Sequence, residues 1–169
     1  MEFAVREAQA DDAPAMIRYA QVLFAEPGLD LPTSPGEFTL TVEQEEAVVA
    51  EYAAAGNCVF LLAMAREGEI VGMLNCRGSS RRALRHSCVM GISVAREHRG
   101  AGIGTALMQS MLNWASASGI KRIELNVYAR NQRAIRLYRS FGFQAEGRRR
   151  AAVFQDGEHL DDIVMSLLL

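Results

Sequence analysis

Arg99-Gly100-Ala101-Gly102-Ile103-Gly104-Thr105 stands between an apolar stretch, Ser87 to Val94, that reads as a strand and a periodic stretch that reads as a helix. Glycine has no Cβ, so Gly100, Gly102 and Gly104 let a ligand approach the backbone closely and admit positive φ. The first N–H groups of the following helix have no partner inside it, and with the positive end of the helix dipole they suit a pyrophosphate. Spacing excludes the familiar phosphate loops. A Walker loop needs Lys and then Ser or Thr after its last glycine, and here Gly104 is followed by Thr105-Ala106. A dinucleotide fingerprint needs Gly-x-Gly-x-x-Gly, and Gly100-x-Gly102-x-Gly104 lacks the third glycine in place. At this point a plain glycine turn into a helix remains the alternative.

Downstream of the loop, Ile103, Leu107, Met111 and Ala115, flanked by Met108 and Leu112, define one helical face, and Gly119 closes the helix. Ile123, Leu125 and Val127 alternate as a strand. Asn131 caps a short helix whose Ala134, Leu137, Tyr138 and Phe141 share a face, with Gly142 at its end. A hairpin then pairs Phe143 to Phe154 with Leu160 to Leu168 around Asp156-Gly157.

Upstream, residues 2 to 8 alternate as a first strand, with Phe3 and Val5 on one side. Asp11 and Asp12 favour a helix start, with Pro14 tolerated in its first turn and Met16, Ala20, Leu23 and Phe24 as its apolar stripe, ending near Ala25. Residues 26 to 36 hold three of the four prolines and read as a loop. Thr41 and Gln44 form a capping box for a second, acidic helix that runs to about Ala55 and stops at Gly56-Asn57. Cys58 to Ala65 reads as a buried strand, joined through Glu67-Gly68-Glu69 to a strand from Ile70 to Cys76. Residues 77 to 85, with Arg77, Arg81, Arg82 and Arg85, read as a solvated basic hairpin tip or a docking surface.

The 169 residues suit one domain, 1 to 169, with no repeat or linker. A net charge of -2 gives no nucleic-acid footprint. Cys58, Cys76 and Cys88 are odd in number and lie in apolar runs, which favours reduced thiols over a disulfide framework or a metal site. No signal-peptide core or membrane-length apolar run occurs, so the expectation is a soluble, cytoplasmic protein that binds neither metal nor membrane. The element order βααβββαβαββ predicts an α/β (α+β) fold with one mixed sheet flanked by helices.

The frame Arg99-x-x-Gly102-x-Gly104, the strand Arg122 to Val127, and Asn131-x-x-Ala134-x-x-Leu137-Tyr138-x-x-Phe141-Gly142-Phe143 together resemble the GNAT superfamily of acyl-CoA-dependent N-acyltransferases. The detailed match covers about residues 86 to 147, and the element order extends it to the whole chain. The resemblance implies a mostly antiparallel sheet of about seven strands with four helices. Its fourth and fifth strands would run parallel and splay apart around the pantetheine arm of acetyl-CoA, the co-substrate. Pantetheine would lie on Ile92, Ser93 and Val94. The pyrophosphate would sit on the amides of Arg99, Gly100, Ala101, Gly102, Ile103, Gly104 and Thr105, with Arg99 adding charge. Asn131 would touch pantetheine while capping its helix, and Tyr138 would face the thiol.

Transfer from a thioester to an amine leaves a thiolate that needs a proton or a strong hydrogen bond, and a phenol of pKa ~10 beside the sulfur supplies it. Tyr138 is therefore the general-acid candidate, against a core aromatic as the alternative. Relatives often carry a glutamate base on the fourth strand where this chain has Cys88, a poor base. His86, two residues away, has a pKa near ~6.5 that suits the task, although a structural histidine looks the same. Glu124 and a water chain are further options. Asn126 and Tyr128 share Glu124's strand face and are placed to position the acceptor. Glu26, Asp30 and Glu37 in the loop, Glu43, Glu45, Glu46 and Glu51 in the second helix, and Asp161 and Asp162 would attract a cationic amine or simply face solvent. His98 reads as a surface residue, and Arg148-Arg149-Arg150 as partners for Asp161 and Asp162. The expected reaction is acetyl transfer to a primary amine of a small molecule by direct attack in a ternary complex. Alternatives are acetylation of protein N-termini or lysines and a catalytically silent acyl-CoA sensor. A homodimer is a further expectation from the family.

Overall fold

A computed structural model describes residues 2–66 and 68–169. The strands are β1 (Phe3–Glu7), β2 (Val59–Ala65), β3 (Ile70–Gly78), β4 (Ser87–Val94), β5 (Arg122–Tyr128), β6 (Gln144–Gln155) and β7 (Glu158–Leu168). The helices are α1 (Ala13–Phe24), α2 (Val42–Ala54), α3 (Ile103–Ala117) and α4 (Gln132–Ser140). Among the described residues this is the expected order. Glu67 of the expected β2–β3 turn and Met1 lie outside them.

Local chemistry accounts for the helix starts. Thr41 Oγ1 accepts from Gln44 N at 3.3 Å while Gln44 Oε1 accepts from Thr41 N at 2.9 Å, the reciprocal box that opens α2. Asn131 Oδ1 accepts from Ala134 N at 3.0 Å at the head of α4. Asp12 serves a short 3-10 turn, Ala10–Asp12, instead of α1 itself. Its carboxylate takes both terminal nitrogens of Arg6 at 2.7 Å and the Gln9 amide at 2.8 Å. The Arg6 hydrogen bonds hold Asp12 below the ordinary carboxylate range.

The strands form one sheet in the order β1-β2-β3-β4-β5-β7-β6. All neighbours are antiparallel except β4 and β5. Alternation along β2 divides the core. Val59, Leu61 and Ala63 meet Leu107, Met108 and Met111 of α3 on one face, where Ile123, Leu125, Ile135 and Tyr138 continue the cluster. Leu62, with Phe60 and Met64 beside it, meets Met16, Tyr19 and Leu23 of α1 and Val49 of α2 on the other. Helices therefore cover both faces of β2 and β3, while α1 ends over the tip of β4. That arrangement leaves the far ends of β4 and β5 accessible between the two helical layers.

Candidate active site

The parallel pairing of β4 with β5 covers three positions, Ser87 with Arg122, Cys88 with Ile123 and Val89 with Glu124. Beyond them β4 stays on β3 as far as Val94, and β5 stays on β7 as far as Tyr128. Each strand keeps one partner, so the pair parts like a fork, and alternate backbone groups from Met90 onward face the gap. A cleft of about 570 Å³ occupies it, of the size that takes small molecules.

Met90 to Val94 line one wall of the cleft, Asn126 and Val127 the other, and Ala134, Leu137 and Tyr138 of α4 reach in. The glycine loop closes one end. Gly100 (φ +96°) and Gly102 (φ +85°) are left-handed, a conformation that costs a residue with a Cβ about 1–2 kcal/mol. Gly102 caps α3, and the first bond to it comes from Ala106 N at 3.0 Å, so the amides of Ile103, Gly104 and Thr105 are unpaired within the helix. This cradle, at the positive end of a 15-residue helix, fits a pyrophosphate.

Arg99 does more structural work than its sequence position suggests. Its Nε donates to the Val94 carbonyl at 2.9 Å, and Nη2 lies 2.6 Å from Glu26 just past α1. Its guanidinium is a staple between the loop, the tip of β4 and α1, and its charge is already matched by Glu26. Tyr19 on α1 adds a second tie, 3.1 Å to Ser93 Oγ, with its phenol pushed up to about 12 by burial. The cation left over is Arg133, in the first turn of α4. Its Nη2 is 3.5 Å from where a Cβ on Gly100 would stand, it lines the cleft, and it has no ion-pair partner among the described residues. Sequence reading passed over Arg133. The available signal was its position, because a cation in the first turn opposes the helix dipole.

Tyr138 is 7% exposed, and burial pushes its phenol up to about 12. Ile92, Ser93, Val94, Arg99, Gly100, Gly102, Ile103, Gly104, Thr105, Asn131 and Tyr138 all line the cleft, and Ala101 does not. His86 requires correction. It is an exposed turn residue ahead of β4, and its carbonyl accepts from Lys121 and Arg122 at the paired end of the fork. Six residues at ~3.3 Å each put it roughly 20 Å from Ile92, too far to take a proton there. Glu124 is likewise outside the cleft, held 2.8 Å from Arg122. Arg122 also grips Glu146, which with a hydrogen bond from Ser166 lowers that carboxyl to about 2. His98, expected on the surface, lines the cleft.

The acidic residues are mostly paired. Glu51 meets Arg77 at 3.3 Å, Arg148 meets Asp161 at 2.7 Å, and Arg149 Nε meets Asp162 at 2.7 Å. Glu45 is buried instead of solvated. The loop after α1 crosses the cleft as a strap, with Gly28, Leu29, Asp30 and Leu31 in its lining. Asp30 is held by Arg130 Nε at 2.7 Å and the Leu29 carbonyl by Gln155 Nε2 at 3.3 Å.

Residues 28–143 match the Acetyltransferase (GNAT) family. The chain belongs to that family. Over 104 residues it is 32% identical to the L-amino acid N-acetyltransferase AaaT of Escherichia coli (strain K12), a match covering 59% of this chain and 62% of that protein. The chain thus spans less than two thirds of that relative, and 21% of the N-acetyltransferase YobR of Bacillus subtilis (strain 168), to which it is 42% identical over 52 residues, 31% of its own length. In structure it is similar to a GNAT-family acetyltransferase from Streptococcus pneumoniae, with a TM-score of 0.95 and 29% identity over 99% of this chain and 100% of that one. A GNAT phosphinothricin acetyltransferase from Sinorhizobium meliloti, solved with AcCoA, shares the fold at a TM-score of 0.86 and 22% identity, over 100% of this chain and 89% of that one. Among the described residues no cluster of His, Cys, Asp or Glu is placed to hold a metal, and no helix of this GNAT chain is long and apolar enough to cross a membrane.

Proposed function

We propose that this chain transfers an acetyl group from acetyl-CoA to the primary amine of a small molecule, by direct attack within a ternary complex. The observation that carries the reading is the fork itself. It joins an amide cradle for pyrophosphate to a strand edge for pantetheine, and a buried phenol lines the same cleft. Structural relatives solved with acetyl-CoA, and the names of the curated relatives, support the donor. The strap over the cleft favours a small acceptor over a peptide.

Gly102 to Thr105 amides, with Arg133, hold the pyrophosphate, and Ile92 to Val94 hold the pantetheine arm along the open edge of β4. The bound ammonium first gives up one proton to solvent, and the neutral amine then attacks the thioester carbonyl, forming the C–N bond and a tetrahedral oxyanion that a β4 amide stabilises. The C–S bond then breaks. The amine's surplus proton leaves to solvent, and the departing sulfur takes its hydrogen bond from Tyr138. Because burial holds that phenol at about 12 and an ordinary thiol titrates near ~8.5, full proton transfer to the sulfur is uphill. Tyr138 therefore acts chiefly by donating a strong hydrogen bond to developing charge, and it stays protonated throughout the neutral range. Tyr138→Phe tests this. Acetyl-CoA should bind within about twofold of wild type by calorimetry, while kcat falls by about 10² or more. An unchanged kcat would remove Tyr138 from the chemistry.

A further inference from the structure

Under the strap, beside the cleft, lies a polar nook that the transfer chemistry above does not use, and of its residues Asp30 is the one that lines the cleft. Asp30, on the strap, and Arg130, just past β5, lie side by side, joined only through Nε and Oδ1 at 2.7 Å. The two terminal nitrogens of Arg130 and the second oxygen of Asp30 have no partner among the described residues. The Arg130 guanidinium lies over the Tyr128 ring, 5.8 Å from its centroid. Tyr128 is 5% exposed, and its hydroxyl is buried with no hydrogen-bond partner among the described residues. Gln155 repeats the pattern, since its Nε2 holds the Leu29 carbonyl and its Oε1 is buried and unpartnered.

A surface ion pair is worth little, and alone it would signify nothing. The buried orphans change that. Native proteins rarely leave such atoms unsatisfied, because each costs about 1–3 kcal/mol. Here one is a hydroxyl donor beside a guanidinium, and the other is a carbonyl acceptor beneath the strap that bears a carboxylate. Asp30 itself lines the cleft, as does Asn126, which shares its strand face with Tyr128.

We propose that this nook is the acceptor-head subsite and that it takes a zwitterion, an amine carrying a carboxylate on the same carbon. The inference rests on the acetyl-transfer reading and specifies its acceptor. The carboxylate accepts from the open fork of Arg130 and from the Tyr128 hydroxyl. The ammonium donates to Asp30 Oδ2 and Gln155 Oε1. Charge matching decides the class. A purely cationic amine competes with Arg130 for Asp30, and a purely anionic ligand competes with Asp30 for Arg130. A zwitterion meets both at once and leaves neither charge unpaired.

The test measures kcat/KM by thiol release from acetyl-CoA for the common L-amino acids, their amides and the amines lacking the carboxyl group. Calorimetry of the same compounds with the full chain and CoA gives binding independent of turnover. Free amino acids are expected to exceed their amides at least tenfold, and Arg130→Met to bring that ratio below threefold. Tyr128→Phe removes only the orphaned hydroxyl, so it should raise KM for the amino acids about threefold to tenfold without lowering Tm. Glu51→Gln, at a distant ion pair, should leave the ratio unchanged. Amides or plain amines reacting as fast as the acids, or ratios indifferent to Arg130→Met and Tyr128→Phe, would overturn the subsite. Amino acids that bind through Arg130 but release no thiol with any acceptor would uphold the subsite and overturn the transfer.

Discussion

The two ends of the cleft are built by different means. The donor end is backbone: left-handed glycines, the unpaired amides at the head of α3 and the bare edge of β4, all within a continuous stretch of chain. The acceptor end is built by side-chain ties between distant segments, Asp30 with Arg130 and Gln155 with the Leu29 carbonyl. Backbone placement is set by the fold and depends little on which side chains surround it. A wall of side-chain ties can be rewired by single substitutions, so one scaffold keeps its donor while its acceptor changes. Substitutions at the donor end should therefore affect acetyl-CoA alone, and those at the acceptor end should spare it.

The largest effect on acetyl-CoA binding is expected at Gly102. Alanine there meets a left-handed cost of about 1–2 kcal/mol, so the acetyl-CoA Kd should rise about tenfold, whereas Gly102→Asn, which tolerates that region, should stay near wild type. Equal losses for both would show that space, and not φ, governs the cradle. Arg133→Ala should weaken acetyl-CoA binding by up to tenfold at low salt, with the difference shrinking as ionic strength rises. An effect confined to the acceptor KM would place Arg133 on the wrong side of the comparison.

How far each end was legible follows from the same difference. The donor end depends on local spacing, and the cleft-lining Arg99, Gly100, Gly102 to Thr105, Asn131 and Tyr138 stood out because glycine, cap and aromatic positions are read within one or two turns, whereas Ala101, expected with them, is not in the lining. Even there the side-chain detail was hidden. Glu26 lies 73 residues before Arg99, and nothing local showed that it would match that charge. His86 was misplaced because strand alternation gives the face a residue occupies but not which end of a parallel pair opens. The acceptor end depends on contacts 100 and 126 residues apart, which periodicity does not encode. The fold fared better, since capping boxes, helical stripes and turn glycines are local signals and fixed the element order. The exception is Glu45, whose place in an acidic helix suggested solvent, whereas it packs inward.

Glu45 supplies the smallest effect, on the α1–α2 layer that carries the strap. Burial raises its carboxyl above the ordinary value. A raised acid is favoured when protonated, so its stabilising contribution is present below the unfolded-state value and is lost as pH rises through the folded one. Glu45→Gln removes that loss and should add about 0.5–2 kcal/mol at pH 7, with the gain vanishing toward pH 4. Acetyl-CoA affinity should not change. A variant that is less stable at pH 7 would mean that the carboxylate has a native partner.

The most direct measurement is mass-resolved product formation. The wild-type chain is incubated with acetyl-CoA and the amine panel, and released thiol is counted against the N-acetylated amine. The expected result is one thiol for each acetylated small-molecule amine, with peptides inert. Tight acetyl-CoA binding with no thiol released to any amine would contradict it.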